Sequence, residues 1–252
     1  MIQLTAEQAR TLLGRFVGER PGFDAAAGHV LLTGHGRAWV DRWPDPRTIL
    51  LTSADNHLLR GEPGAVRAAD LAPLVTGFVD APAEFLPVLR EAAQRLTPWP
   101  RLVYRQDAPP EPAPPVAGAD VRRLTPDDTA AVGGLSEYSA WIHGTWGGPA
   151  GMAGSAHAWG AVVEGRLAAV ACTFFRGIRH GEIGIITEPP YQRRGLSTAC
   201  VLGLCADLHA KGLRPSWSTS PDNIASRRVA EKTGFSLVRH DVLYVVNTDV
   251  PT

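Results

Sequence analysis

The chain has 252 residues, 44% of them hydrophobic, which is enough to bury a core and too many for a disordered tail. Lys+Arg and Asp+Glu are 25 each, so the formal net charge is zero and the cationic footprint of a general nucleic-acid binder is missing. No apolar run approaches the roughly 18 residues of a membrane span. The opening Met1-Ile2-Gln3-Leu4-Thr5-Ala6-Glu7 has no basic segment followed by an apolar one, so neither a membrane partner nor a secretory signal is expected. Three cysteines, Cys172, Cys200 and Cys205, are too few for a disulfide framework and fit a reducing cytoplasm.

Thr5-Ala6-Glu7-Gln8 has the form of a capping box ahead of Leu12, Leu13 and Phe16, and predicts a helix. Short strands are expected at 30–33, 38–40 and 48–51, with turns at Gly34-His35-Gly36 and Pro44-Asp45-Pro46. The spacing of Phe85, Leu86, Leu89 and Ala93 predicts a helix over 83–96, followed by a strand over 99–105. This half shows no phosphate loop, metal-ligand spacing or nucleophile motif, so a packing or substrate-shaping role is expected. Five prolines among residues 108–116 then remove amide donors and favour an extended spacer. The expected organisation is an N-terminal α/β domain over 1–107, a linker over 108–118 and a second domain over 119–252. The alternative is a proline-rich surface loop inside one domain.

After the linker, Val121-Arg122-Arg123-Leu124 reads as a strand, and Thr125-Pro126-Asp127-Asp128 as a helix start with Thr as cap and acids in the first turn. Helical segments are expected at 132–135 and 138–142. Five glycines among residues 144–154 predict a mobile loop. Residues 158–163 and 167–174 alternate around Glu164-Gly165 as a hairpin, and 182–187 is a further strand. Leu196, Ala199, Cys200, Gly203, Leu204 and Leu208 fall at helical spacing, predicting a helix over 196–210 that Gly212 ends. A strand at 216–219, a helix over 223–233 closed by Gly234 and a strand at 242–246 complete a mixed α/β pattern.

The stretch Thr187-Glu188-Pro189-Pro190-Tyr191-Gln192-Arg193-Arg194-Gly195-Leu196-Ser197-Thr198 carries the chemistry. A strand feeds a turn and the turn feeds a helix, whose first amides have no partner within it and face outward at the positive end of its dipole. Gly195 allows close approach to the backbone, Arg193 and Arg194 add charge, and Ser197 and Thr198 add hydroxyls. That is a recipe for a pyrophosphate cradle; a plain helix start with two solvated arginines is the other reading. Neither lysine, Lys211 or Lys232, follows a Walker-type glycine run, and no Gly-x-Gly-x-x-Gly follows a strand.

Gln192-Arg193-Arg194-Gly195-Leu196-Ser197 resembles the Q/R-x-x-G-x-G/A signature of the GNAT N-acetyltransferase superfamily, with Ser in place of the last small residue. The 182–187 strand resembles the fourth strand of that fold. Pro215-Ser216-Trp217 and Asn223-Ile224-Ala225-Ser226 resemble its fifth strand and following helix, and Lys232-Thr233-Gly234-Phe235 its usual ending. The resemblance covers 119–252 and points to a bacterial group whose N-terminal half is a degenerate second GNAT module, here residues 1–107.

The resemblance implies a mixed, mostly antiparallel sheet flanked by helices, with acetyl-CoA as cosubstrate and a primary amine of a small molecule as acceptor. It implies that Gln192, Arg193, Arg194, Gly195, Leu196, Ser197 and Thr198 hold the pyrophosphate. Ile186, Thr187, Asn223 and Ser226 would line the pantetheine arm; Asn223 is also a good helix cap. Glu182 is the first candidate for the base that frees the amine, Glu188 the second, and a solvated strand-end acid is the alternative for each. Many relatives carry a Tyr acid seven residues after the motif Asn; Ala230 stands there in this chain, which leaves Ser226, solvent, or a thiolate that departs unprotonated. Tyr138, Trp141, His143 and Trp146 cluster before and in the Gly-rich segment, and His143 and Trp146 are the candidate acceptor-site residues. Core packing is the other reading for the tryptophans. Two rival functions are an acyl-CoA-binding module without turnover and a serine hydrolase built on Ser197 with His209 or His240 and Asp207 or Asp222.

Overall fold

The structure is a computed structural model and describes residues 1–251. The first half contains β1 (Ile2–Gln3), α1 (Ala6–Thr11) and α2 (Ala25–Gly28), the last running on as a π-helical stretch, His29–Thr33. It continues with β2 (Arg37–Val40), β3 (Thr48–Ser53), β4 (Asn56–Gly61), the one-turn α3 (Ala68–Leu71), β5 (Gly77–Asp80), α4 (Leu86–Ala92) and β6 (Leu96–Arg105). The second half begins with β7 (Asp120–Arg123), α5 (Thr129–Gly133), a 3-10 helix (Ala140–Trp146) and α6 (Pro149–Gly154). Then come β8 (Ala158–Val163), β9 (Arg166–Arg176), β10 (His180–Thr187), α7 (Leu196–Ala210), β11 (Arg214–Thr219), α8 (Ile224–Lys232) and β12 (Ser236–Val246). No helix among the described residues is long and apolar enough to cross a membrane.

All twelve strands form one sheet in the order β1-β2-β3-β4-β5-β12-β6-β11-β10-β9-β8-β7. Counted from either edge, five strands of one half are followed by the last strand of the other. The pairs β4–β5 and β10–β11 are parallel and the remaining pairs antiparallel. Thus β6 lies between two strands of the second half, with Leu102 and Tyr104 in the core under α7 and α8. In return β12 sends Tyr244 and Val246 into the core of the first half, beside Phe85 and Leu89. Strand β6 tolerates Pro98 and Pro100 because β11 pairs with it only from Leu102 to Arg105, leaving the proline stretch a strand on one side alone. The proline-rich segment after β6 carries the chain from the middle of the sheet to its edge at β7.

Three expected elements differ. Residues 30–33 are helical, not a strand: the buried Ala25, Ala26 and Ala27 start a helix whose turns continue to Thr33, and Gly34 (φ +76°) ends it. Residues 144–154 are largely helical rather than a mobile loop. Their glycines serve backbone approach: Gly147 turns the chain at φ +73°, and a Cβ on Gly151 would lie 1.8 Å from the Trp146 carbonyl oxygen. The helix expected over 83–96 ends at Ala92, and Leu96 already belongs to β6.

The halves are clasped as well as woven. The buried Glu19 carboxylate accepts hydrogen bonds from the Ile178 (2.6 Å), Arg179 (2.9 Å) and His180 (2.8 Å) amides and from His180 Nδ1 (3.2 Å). His29 donates from Nε2 to the Thr145 carbonyl (2.8 Å) and accepts the Arg176 amide at Nδ1 (3.2 Å). Gly28 lets α2 touch the β9–β10 turn; a Cβ there would lie 2.5 Å from the Gly177 carbonyl carbon. Glu19→Ala leaves three amides, that of the buried His180 among them, without an acceptor, and the expected loss in urea unfolding is about 2 kcal/mol. A loss below about 1 kcal/mol would show that water or a neighbour replaces the carboxylate without cost.

Candidate active site

Strand β10 ends at Thr187, a short 3-10 turn follows at Pro189–Tyr191, and α7 begins after Gly195. Arg193 (φ +62°) and Gly195 (φ +80°) both take the left-handed conformation that turns the chain into the helix. The first bond closing the helix runs from Ala199 N–H to Gly195 O (3.1 Å), so the amides of Leu196, Ser197 and Thr198 precede any helical partner. A Cβ on Gly195 would meet nothing within 4 Å: the space before the helix is open. Gln192, Arg193 and Arg194 are exposed around it. Ser197 Oγ is 2.5 Å from Thr187 Oγ1, so this hydroxyl ties the helix start to the strand end. Among the described residues no histidine is hydrogen-bonded to it. His209 is bonded to Gln106 and Asp207 is taken by Arg123 and Trp159, so the imagined hydrolase triad is not assembled.

Strands β10 and β11 pair only at His180↔Arg214, Gly181↔Pro215 and Glu182↔Ser216. Beyond that they diverge, because β11 goes on along β6 while β10 goes on along β9. The result is a wedge opening toward the start of α7, with the β10 edge over Ile186 and Thr187 unpaired on the β11 side. Asn223 caps α8, its Oδ1 accepting the Ser226 amide at 3.0 Å, and Ser226 Oγ accepts the Trp217 indole N–H at 3.0 Å. Ala230 is fully buried in the core.

Glu182 stands at the fork of the wedge. It is 6% exposed, and Ser216 Oγ donates to its Oε2 at 2.5 Å. Burial pushes its pKa above the usual carboxylate range, against the Ser216 hydrogen bond that favours the anion. Opposite Glu182 in the ladder is Phe175, and an aromatic row runs from it: Phe23 at 5.1 Å, Phe174 at 4.8 Å, and Trp141 at 5.5 Å beyond Phe174. Trp141 is half exposed. Trp146 is instead 4% exposed in the core, its indole N–H donated to the Thr173 carbonyl and its ring perpendicular to that of His29. His143 is half-buried, and burial lowers its pKa. Glu188 accepts from the Ser136 amide and hydroxyl, which holds it at the far end of β10.

Sequence reasoning passed over Arg101, on the exchanged strand β6. Its guanidinium lies 4.0 Å from the Trp99 ring centroid, and Nη2 donates to the Ser218 carbonyl at 2.9 Å. Only the pairing of β6 with β11 puts it near Glu182, and no local pattern announces that pairing. The first half has a matching wedge, where β4 and β5 part after Leu58↔Asp80. There Arg60 fills the gap, paired with Asp24 and Asp80, and the helix corresponding to α7 is the single turn α3. That wedge has no cradle.

Because burial raises the Glu182 pKa, the folded protein keeps a proton that the unfolded chain releases. Its contribution to stability is complete below the unfolded value of about 4.3 and is lost as pH rises through the folded one. Glu182→Gln cannot ionise, so its urea midpoint relative to wild type should climb as pH rises above the unfolded value. A difference independent of pH would mean that Glu182 titrates as an ordinary carboxyl group.

Residues 120–244 match the family model described as GNAT acetyltransferase. The chain is 44% identical over 212 residues, 84% of its length and 90% of the relative's, to a protein of Streptomyces virginiae described as an uncharacterized N-acetyltransferase in the mutA 5′ region. Its fold is similar to that of a GCN5-related N-acetyltransferase-like protein from Streptococcus suis (TM-score 0.72, 18% identity, 96% of this chain and 99% of that one). It is also similar to a tandem GNAT protein from the clavulanic acid biosynthesis pathway (TM-score 0.57, 14% identity, 96% of each chain). At these identities the likeness is one of fold, and it spans both halves, so the first half is GNAT-like as well. With a relative this similar over most of both chains, and the family model on the half that bears the cradle, the chain belongs to the GNAT acetyltransferases and is an N-acetyltransferase of that superfamily.

Proposed function

We propose that the protein transfers the acetyl group of acetyl-CoA to a primary amine of a small molecule. The observation that carries this reading is the open cradle before α7 joined to the wedge between β10 and β11. The residues fit the group. The amides of Leu196, Ser197 and Thr198, with Arg193, Arg194 and Gln192 around them, suit a pyrophosphate, and Gly195 leaves it room. The free β10 edge at Ile186 and Thr187 suits the amides of a pantetheine arm, with Asn223 and Ser226 across the wedge. Asn223 Oδ1 is used in capping, so its NH2 is the group left for the arm.

Acetyl-CoA supplies, when bound, an acyl thioester whose carbonyl carbon accepts a neutral amine. An ammonium has no lone pair, so the chain must first take a proton from it. Glu182 is the residue we assign to this, since burial makes its carboxylate a stronger base than a solvated one. The N–C bond forms, the C–S bond breaks and the thiolate leaves. Ser226 Oγ already accepts the Trp217 indole N–H, which leaves its own proton to donate to the departing sulfur, and the second proton that the nitrogen sheds as the amide forms replaces it. His143 borders the acceptor side, and Trp146 shapes that side from behind by fixing the 3-10 helix against Thr173. A second reading, binding of acyl-CoA without turnover, is favoured by the buried Ala230 at the position where a tyrosine acid is usual.

Calorimetric titration of acetyl-CoA into the wild type is expected to give a Kd on the order of micromolar. Gly195→Glu, which puts a carboxylate in the cradle at a left-handed residue, should weaken it at least about a hundredfold with the fold intact by circular dichroism. Glu182→Gln should lower kcat for amine acetylation by about a hundredfold. Absence of wild-type binding would end the acetyltransferase reading. Binding with no transfer to any amine would leave the second one.

A further inference from the structure

We infer that the acceptor is an amine that also carries a carboxylate, and that Arg101 is the group that receives the carboxylate. This rests on the acetyltransferase reading and narrows its substrate class. In the ladder, Arg105 faces Ser216 and Val103 faces Ser218, so alternation puts Arg101 on the same face of the sheet as both serines. Glu182 pairs with Ser216 across the other side of β11 and shares that face. One buried acid and one largely buried base therefore look out of the same surface beside the wedge. A zwitterion has the complementary pair, its ammonium for Glu182 and its carboxylate for Arg101.

The guanidinium is held ready for such a ligand. Trp99 fixes its plane at 4.0 Å and the Ser218 carbonyl takes Nη2, while Nε is buried with no hydrogen-bond partner. Leaving a charged donor so costs stability unless something fills the place. Among the described residues no carboxylate forms an ion pair with it; Glu182 and Asp222 act on it only through space. Burial lowers its pKa to about 10, which keeps it charged at neutral pH.

The first half supplies the contrast. Its wedge holds an arginine of its own, Arg60 on β4, which is satisfied by two carboxylates of the protein itself, Asp24 and Asp80. Among the described residues no carboxylate of the protein pairs with Arg101 in that way, and a substrate carboxylate takes that part. Arg239, the other arginine near this face, is already matched by Asp241 and the Pro21 carbonyl. The segment around Gly22 roofs the face, since a Cβ on Gly22 would lie 3.1 Å from Val103 Cγ1 and 3.3 Å from Ser218 Oγ.

The test is a thiol-release assay with acetyl-CoA and matched pairs: L-amino acids, β-alanine and 4-aminobutyrate, each against the amine lacking its carboxyl group. At least one acid should exceed its matched amine by about a hundredfold in kcat/KM. In Arg101→Gln that ratio should fall to within about threefold, and Arg101→Lys should keep an intermediate ratio. The wild-type ratio stands as a measurement even if Arg101→Gln does not fold. Amines without a carboxylate acetylated as well as the acids, or a ratio unchanged in Arg101→Gln, would overturn the inference and leave acetyl transfer intact. Acetyl-CoA binding with no turnover of any pair would also overturn it. Wild type that does not bind acetyl-CoA in calorimetry would remove the acetyltransferase reading and this inference together.

Discussion

The exchange of β6 and β12 at the centre of the sheet is the constraint on which the other features depend. Each half buries its core only by borrowing the last strand of the other: Leu102 and Tyr104 go one way, Tyr244 and Val246 the other. Sequential strands tend to lie together because short connections cost little loop entropy. Here the chain accepts two long-range placements, and apolar burial at both joints offsets that cost. The exchange also decides where β11 goes. Drawn along β6, it leaves β10 after three residue pairs, and the wedge is the consequence.

The two halves share a strand order and differ in what fills the gap between their parallel strands. In the first, Arg60 with Asp24 and Asp80 closes it, and the following helix has shrunk to one turn. In the second, fifteen residues of α7 set a helix start with free amides against open space. A buried ion network adds little net stability but fixes a geometry. The first half thus became a rigid partner. Its segment around Glu19 and Gly22 lies over the second half's β10 and β11, where a lone GNAT-like domain would meet solvent.

Local chemistry made the second half readable. The bounds of α7 follow from apolar spacing and two flanking glycines, Gly195 at φ +80° and Gly212 at φ +73°. The Glu164-Gly165 turn takes the left-handed angles that its residues invite. Gln192 to Thr198 sits where the strand-turn-helix reading puts it, although Ser197 proves to be a tie to Thr187. The failures are non-local. Residues 30–33 have strand-like side chains, yet the alanines before them set a helix that the fold then buries. Strands β4 and β5 went unseen because buried polar residues break their pattern: His57 is satisfied only by the Thr76 carbonyl across the sheet. Arg101 looked like one more strand residue, since what gives it meaning is a partner strand more than a hundred residues away.

The clasp and the catalytic carboxyl candidate are two residues apart, and that spacing has a physical meaning. Glu19 fixes the amides of 178, 179 and 180, which sets where β10 begins and hence where Glu182 emerges. The ladder of β9 slips by one residue at this point, between the partners of Glu182 and Ile183, so Phe174 is left over beside Phe175. A bulge bends its strand, and bends drift unless something outside the sheet holds them. Glu19 holds one side and His29, bonded to Arg176 and Thr145, holds the other. The first half, without a cradle of its own, therefore sets the position of an acid that belongs to the second.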